Sequence, residues 1–307
     1  MHFDRRVAHR VKKLRPNIVY AYDGAALQTF HQAQKLGIAT VYELTSGYWQ
    51  WEHKVFGEDG ERNPEFARLF PSMSDGPEHL RLKEEELSLA DYVFVPSQHV
   101  RKTLRGVVPD EKIRVISYGA PPVRARKLVS LDAVRPLRVL FAGSLIQRKG
   151  ISYLLDAIEM LQNQVELTLV GRKPSAHPRL DKECVRHRWF ETVPHSQMLD
   201  IMQKSDVLVL PSLSDAFGLV VTEALASGLP VIVTANTGAS DILRDGHEGF
   251  VVPVCQAEPI ASRLELLHRD RQMLAEMSRH AQATAAENSW ENYRANWARA
   301  LRNLAWH

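Results

Sequence analysis

The 307-residue chain is long enough for two medium domains, each with its own core. Apolar residues at 45% and charged residues at 24% are the balance of an ordinary soluble globular protein, and a formal charge of +3 asks for no nucleic-acid partner. No run approaches the roughly 18 apolar residues of a membrane span, and positive charge continues where a signal peptide would turn apolar. The two distant cysteines, Cys184 and Cys255, fit a reduced cytoplasm and argue against a structural zinc site.

Strands and helices alternate along the chain, the pattern of parallel sheets wrapped by helices. At the start, Phe3, Val7, Val11 and Leu14 fall at helical spacing, with Arg5, Arg6, Arg10, Lys12 and Lys13 around them. Two uses fit that helix: burying one stripe on a sheet, or peripheral contact with anionic lipid at the inner membrane face. NIVYAY (residues 17–22) reads as a buried strand, residues 25–36 as a helix ended by Gly37, and IATVYEL (38–44) as the next strand. Residues 46–77 break the alternation. They are rich in Gly, Pro and charge yet carry Tyr48, Trp49, Trp51 and Phe56, and they read as a long loop, either functional or disordered. A helix at 78–90, strand DYVFVPS, a short helix at 99–104 and strand KIRVISYG complete a first domain at residues 1–120.

Pro121, Pro122 and the basic RARK mark a linker at residues 121–134. Five β-rich runs follow, LRVLFAG, VELTLVG, DVLVLPS, LPVIVTA and EGFVVPV, and define a second domain at residues 135–288. The tail, residues 289–307, reads as a helix whose stripe of Trp290, Tyr293, Trp297, Leu301 and Leu304 packs back on the first domain. The first domain offers about four strands and opens on a helix, where a doubly wound domain begins with a strand and a ligand-binding loop. It is therefore expected to be incomplete at its N-terminus.

Two segments carry chemistry. SLSDAFGLVVTEALASGLPVIVT (212–234) joins a strand to a helix that starts near Phe217, Gly218 and Leu219. Gly218 permits close approach of a ligand, and the first amides of the helix suit a phosphate or diphosphate. Asp215 just before the helix and Glu223 in its early turns can face one crevice and accept hydrogen bonds from sugar or ribose hydroxyls. The alternatives are a helix cap for Asp215 and a buried network for Glu223. GSLIQRKG (143–150) follows strand LRVLFA, with Gly143 and Ser144 leaving the strand and Gly150 preceding a helix at 151–161. Arg148 and Lys149 thus lie at the C-terminal edge of a parallel sheet, able to neutralise a diphosphate, or simply to form a solvated basic loop.

Together these segments resemble glycosyltransferase family 4, with G-R-L-x-x-x-K-G in the first motif and two glutamates around E-G-F-G-L in the second. Ser144 stands where the family has arginine, Lys149 keeps the lysine, Asp215 stands for the first glutamate, Ala216 for the glycine and Glu223 for the second glutamate. SQHVRKTL with PDEKIRVISYGAP, VPHSQMLDIMQKSDVLVLPS and TGASDILRDGHEGFVVPV extend the likeness over nearly the whole chain. The resemblance implies two Rossmann-like domains of the GT-B type, the first incomplete, and a retaining, hexosyltransferase-like transfer from a nucleotide-diphosphate sugar. The acceptor would be a glycan, a lipid-linked sugar or a small hydroxylated metabolite. Lys149 and Arg148 would meet the diphosphate, Glu223 the ribose, Asp215 the sugar, and the amides near Phe217, Gly218 and Leu219 the phosphate. No cofactor or metal is implied, in keeping with the lack of a DxD triplet, an HExxH pair or a GxGxxG fingerprint. The family's His-Asp pair falls at Tyr42-Glu43. A sugar-nucleotide epimerase of the same fold and a binding-only module are the alternatives.

Overall fold

Strand runs that are apolar on both faces settle only where helices cover both sides of a sheet, and both sheets of this chain are wholly parallel among the described residues. The computed structural model describes residues 2–70, 76–124 and 134–304. The chain divides into two compact units, Met1–His53 with Ser72–Ser117 and Arg294–His307, and Lys54–Pro71 with Tyr118–Tyr293.

The first unit runs α1 (His2–Leu14), β1 (Ile18–Tyr22), α2 (Leu27–Lys35), β2 (Ala39–Glu43), the start of α3 (Trp49–Arg62), α4 (Pro77–Ser88), β3 (Tyr92–Val95), α5 (Gln98–Thr103) and β4 (Ile113–Val115). Its sheet has the order β1-β2-β3-β4. Carboxylates from two other helices satisfy the start of α2. Asp4 of α1 accepts the amides of Gln28 (2.6 Å) and Thr29 (2.9 Å), and Glu86 of α4 accepts those of Gly24, Ala26 and Leu27. Asp4 is thereby buried in a helix expected to dock through an apolar stripe. Of that stripe Val11 is buried and Val7 half-buried, while Phe3 and Leu14 stand in solvent beside the five basic residues.

The second unit continues with β5 (Leu137–Ala142), α6 (Ile151–Leu161), β6 (Val165–Val170), α7 (Pro178–Arg186), β7 (Arg188–Phe190), α8 (His195–Lys204), β8 (Val207–Leu210), α9 (Leu219–Ala226), β9 (Val231–Thr234), β10 (Gly249–Val252), α10 (Glu258–Arg269), α11 (Arg271–Glu287) and α12 (Trp290–Arg302). The strand order is β10-β9-β8-β5-β6-β7. Central β8 and β9 are buried at every position, as their Val, Ile and Leu runs require. The sixth strand, β7, carries no strand signal in the sequence, because RWF is three residues long, half-exposed and set in a charged context, as an edge strand tolerates.

Residues 46–77, expected as a loop, instead hold α3 and a 3-10 turn at Ala67–Leu69. Phe56 and Phe66 are buried there, and Phe56 stacks on Phe70 at 4.9 Å. Lys54–Pro71 belongs to the second unit, so the compact units cut the chain differently from the sequence boundaries at 120 and 135. The linker placed at 121–134 falls largely on residues 125–133, outside the described residues. In the tail, Trp290 and Tyr293 gather around Tyr118 in the second unit. From Arg294 onward α12 belongs to the first unit, where Trp297 Nε1 donates to the Tyr20 hydroxyl at 3.2 Å.

Candidate functional site

The second unit brings the two motifs together through its strand order. β5 and β8 pair directly, Val139 with Val207 and Leu140 with Leu208, although α6, β6, α7, β7 and α8 separate them in sequence. The loops leaving their C-terminal ends therefore emerge side by side, at the edge where open α/β sheets bind ligands.

The first loop leaves β5 at Gly143 and the exposed Ser144, then forms a 3-10 turn at Gln147–Lys149 that ends on Gly150. Gly150 is left-handed (φ 74°), and a β-carbon there would lie 1.9 Å from the Pro211 carbonyl oxygen at the exit of β8. Only glycine lets the two loops approach so closely. The Leu213 amide donates to the Arg148 carbonyl at 2.9 Å and ties the loops together. The cations are held differently. Lys149 pairs its ammonium with the buried carboxylate of Asp215. Arg148 is half-buried, and its Nε has no hydrogen-bond partner among the described residues.

The second loop makes a parallel bridge from Asp215 to Thr237 and enters α9 through Gly218 (φ 81°), where a β-carbon would meet Thr237, Leu210 and Asp215 side-chain atoms at 3.1–3.3 Å. Gly218 is the N-cap and no side chain caps the helix, so Asp215 does not serve as the cap. Its partner is Lys149. The Val221 amide donates to the Gly218 carbonyl at 2.8 Å, while the amides of Leu219 and Val220 lie in the first turn, where a helix offers no intrahelical acceptor and an anion can be met. The Phe217 ring is buried edge-on against Tyr118 at 5.3 Å, which leaves only its backbone to a ligand, and Leu219 is exposed. Glu223 lies one turn into α9, half-buried and without a hydrogen bond or ion pair for its carboxylate among the described residues. Burial raises its pKa above the usual carboxylate range, against the pull of nearby His195.

The structure thus assembles Gly143, Ser144, Arg148, Lys149, Asp215, Phe217, Gly218, Leu219 and Glu223 in one unit, on two adjoining loops and the helix that follows. It adds residues the sequence did not single out. Gln147, inside the first motif, is fully buried and donates to Asp59 Oδ2 at 2.8 Å, and Asp59 lies on α3 in a stretch expected to be a loop. A polar residue directly before the two cations was the only local signal for Gln147, and Asp59 carried none. Among the described residues, no group of three or more His, Cys, Asp or Glu is placed to hold a metal ion, and no helix is long and apolar enough to cross a membrane.

Known proteins match the part of the chain that holds these loops. The family model described as Glycosyl transferases group 1 matches residues 129–284, half of the chain and both loops. A D-inositol 3-phosphate glycosyltransferase of Paenarthrobacter aurescens is 32% identical over 186 residues, covering 55% of this chain and 45% of that protein. The protein of the same name from Corynebacterium urealyticum is 30% identical over 258 residues, covering 78% of this chain and 60% of that protein. The chain thus spans about half the length of these relatives. Among solved structures, HepE of Anabaena in complex with UDP and glucose superposes with a TM-score of 0.70 at 20% identity, covering 97% of this chain and 81% of HepE. At that identity the likeness speaks for the fold, an α/β arrangement of two Rossmann-like units as in GT-B glycosyltransferases. With half its length matched by the family model, the chain belongs to the group 1 glycosyl transferases.

Proposed function

We propose that the chain is the donor-binding part of a retaining glycosyltransferase of family 4, which moves a sugar from a nucleotide-diphosphate to a hydroxyl acceptor. The observation that carries this is the junction of the two loops, where Arg148, the Lys149–Asp215 pair and the start of α9, which no side chain caps, lie at one sheet edge. UDP and glucose bound to HepE support a nucleotide sugar as the donor.

In this mechanism the bond from the anomeric carbon to the diphosphate oxygen breaks and its electron pair leaves with the diphosphate. Lys149 and Arg148 stabilise that charge, and the α9 amides at Gly218 and Leu219 hold phosphate oxygens. The acceptor hydroxyl bonds to the anomeric carbon from the face the diphosphate leaves, and its proton passes to a donor phosphate oxygen. Glu223 accepts hydrogen bonds from the ribose hydroxyls. Asp215 orients the Lys149 ammonium and lies against the transferred sugar. The chemistry needs no metal ion, because protein cations and helix amides meet the developing charge. The acceptor is a glycan, a lipid-linked sugar or a small hydroxylated metabolite. The basic α1, with Phe3 and Leu14 exposed, suits peripheral contact with the inner membrane face of the cytoplasm.

Product analysis by NMR tests the reaction class. A product with the donor's anomeric configuration is expected. An inverted product, or isomerisation of the donor without acceptor, would overturn it, the latter in favour of an epimerase.

A further inference from the structure

The turn that carries Arg148 and Lys149 hangs on a buried polar side chain. Gln147 is fully buried, and buried amides keep partners. One Nε2 hydrogen goes to Asp59 Oδ2 (2.8 Å) and the other to Ser152 Oγ (2.8 Å), while the Ser152 amide reaches Gln147 Oε1 at 3.4 Å. Asp59 is 1% exposed. Its other oxygen accepts the Tyr153 hydroxyl and Asn63 Nδ2 (3.3 Å). Burial and the bond to Asp59 raise the Tyr153 phenol above its usual range, which keeps it a donor.

No cation pairs with Asp59 among the described residues, so a carboxylate is buried on neutral donors alone, a costly arrangement to retain. It links α3 to the cation turn. Within that turn the Gly150 amide donates to the Gln147 carbonyl at 2.7 Å and the Lys149 amide to the Ile146 carbonyl at 3.0 Å, so a shift at Gln147 moves both cations. The residues after Asp59 are anchored in the same unit. His177 donates through Nε2 to the Glu65 carbonyl (3.0 Å), and its Nδ1 accepts the Leu180 amide (3.2 Å). The Phe66 ring lies 4.6 Å from the His177 ring.

We propose that Asp59 is a positioning residue, which holds Gln147 and through it sets Arg148 and Lys149 for the second phosphate of the donor. This rests on the donor reading above. A tilt of the turn would weaken a diphosphate more than a monophosphate, because only the diphosphate places its outer phosphate against the cations.

The test is calorimetric binding of UDP and UMP to the full chain, for the wild type, Asp59→Asn, Gln147→Leu, the double variant and Lys149→Ala. Asp59→Asn and Gln147→Leu are each expected to cut the preference for UDP over UMP by about tenfold, the size of one charge-assisted hydrogen bond. The double variant is expected to lose no more than either single one, since both act through one contact. An unchanged preference in Asp59→Asn or Gln147→Leu, or losses that add in the double variant, overturns the positioning role even if melting temperatures fall. If Asp59→Asn does not fold, Gln147→Leu alone decides by the same criterion. An unchanged preference in Lys149→Ala overturns the donor reading together with this inference. A loss in Lys149→Ala without one in Gln147→Leu overturns this inference alone.

Discussion

Lys149 and Asp215, 66 residues apart in sequence, form an ion pair between the two loops that leave β5 and β8. The carboxylate is buried, and the ammonium is mostly so. The pair fixes where the cation sits and makes one loop depend on the other for its charge balance.

Removing the cation should therefore act twice. Lys149→Ala is expected to lower turnover by on the order of 10²–10³, the size of one key electrostatic contact. It should also cost roughly 1–3 kcal/mol of stability, because Asp215 is left buried and unpaired. The double variant Lys149→Met with Asp215→Asn should regain most of the stability and none of the turnover. Urea unfolding beside steady-state kinetics checks the split, and recovery of both together would mean that the pair is only structural.

Glu223 should discriminate nucleosides. Glu223→Gln is expected to weaken a nucleoside diphosphate more than inorganic diphosphate, which lacks ribose. Because burial raises the Glu223 pKa, it takes up its proton at a higher pH than an ordinary carboxylate. Acidification should weaken nucleotide binding from that higher pH downward, while Glu223→Gln shows no such step. Calorimetry across pH reads both effects, and equal losses for the two ligands would return Glu223 to a structural role.

Asp206 predicts acid sensitivity in the second unit. Burial by itself would raise its pKa, but hydrogen bonds from Arg135 (2.6 and 3.0 Å) and Arg138 outweigh burial and hold it at about 2, below the usual 3.8. A depressed carboxylate contributes stability that is fully present above about pH 4 and lost as pH falls through about 2, here roughly 2 kcal/mol. Asp206→Asn should be less stable at pH 7 and should lack this component of the acid loss. Urea midpoints between pH 5 and pH 2 (about the range set by the two pKa values) test it, and parallel curves for the two proteins would refute it.

The α1 surface predicts binding to anionic vesicles. Phe3 and Leu14 are 72% and 76% exposed beside Arg5, Arg6, Arg10, Lys12 and Lys13. Flotation should carry the chain with phosphatidylglycerol vesicles and not with phosphatidylcholine alone. Neutralising Arg5, Arg6 and Arg10 to Gln should weaken association by on the order of 100-fold, at about 1 kcal/mol per basic residue. Indifference to lipid charge would leave α1 only its docking on α2, where Asp4 accepts the Gln28 and Thr29 amides.

Much of the architecture was legible in the chain itself. Runs such as VLVL and VIVT are apolar at every position because both faces of a parallel strand are covered, and a covered strand implies flanking helices. The two loops were legible for a related reason: Gly150 and Gly218 stand where the backbone must turn left-handed, beside the residues that carry charge. What only the tertiary structure decided was partnership among polar groups. Nothing local says that Asp215 meets Lys149 rather than capping α9, that Asp4 and Glu86 complete the start of α2, or that Asp59 reaches Gln147 across 88 residues. Hydrophobic period is written in neighbouring residues, whereas a carboxylate's partner depends on which strand ends and helices the topology sets side by side.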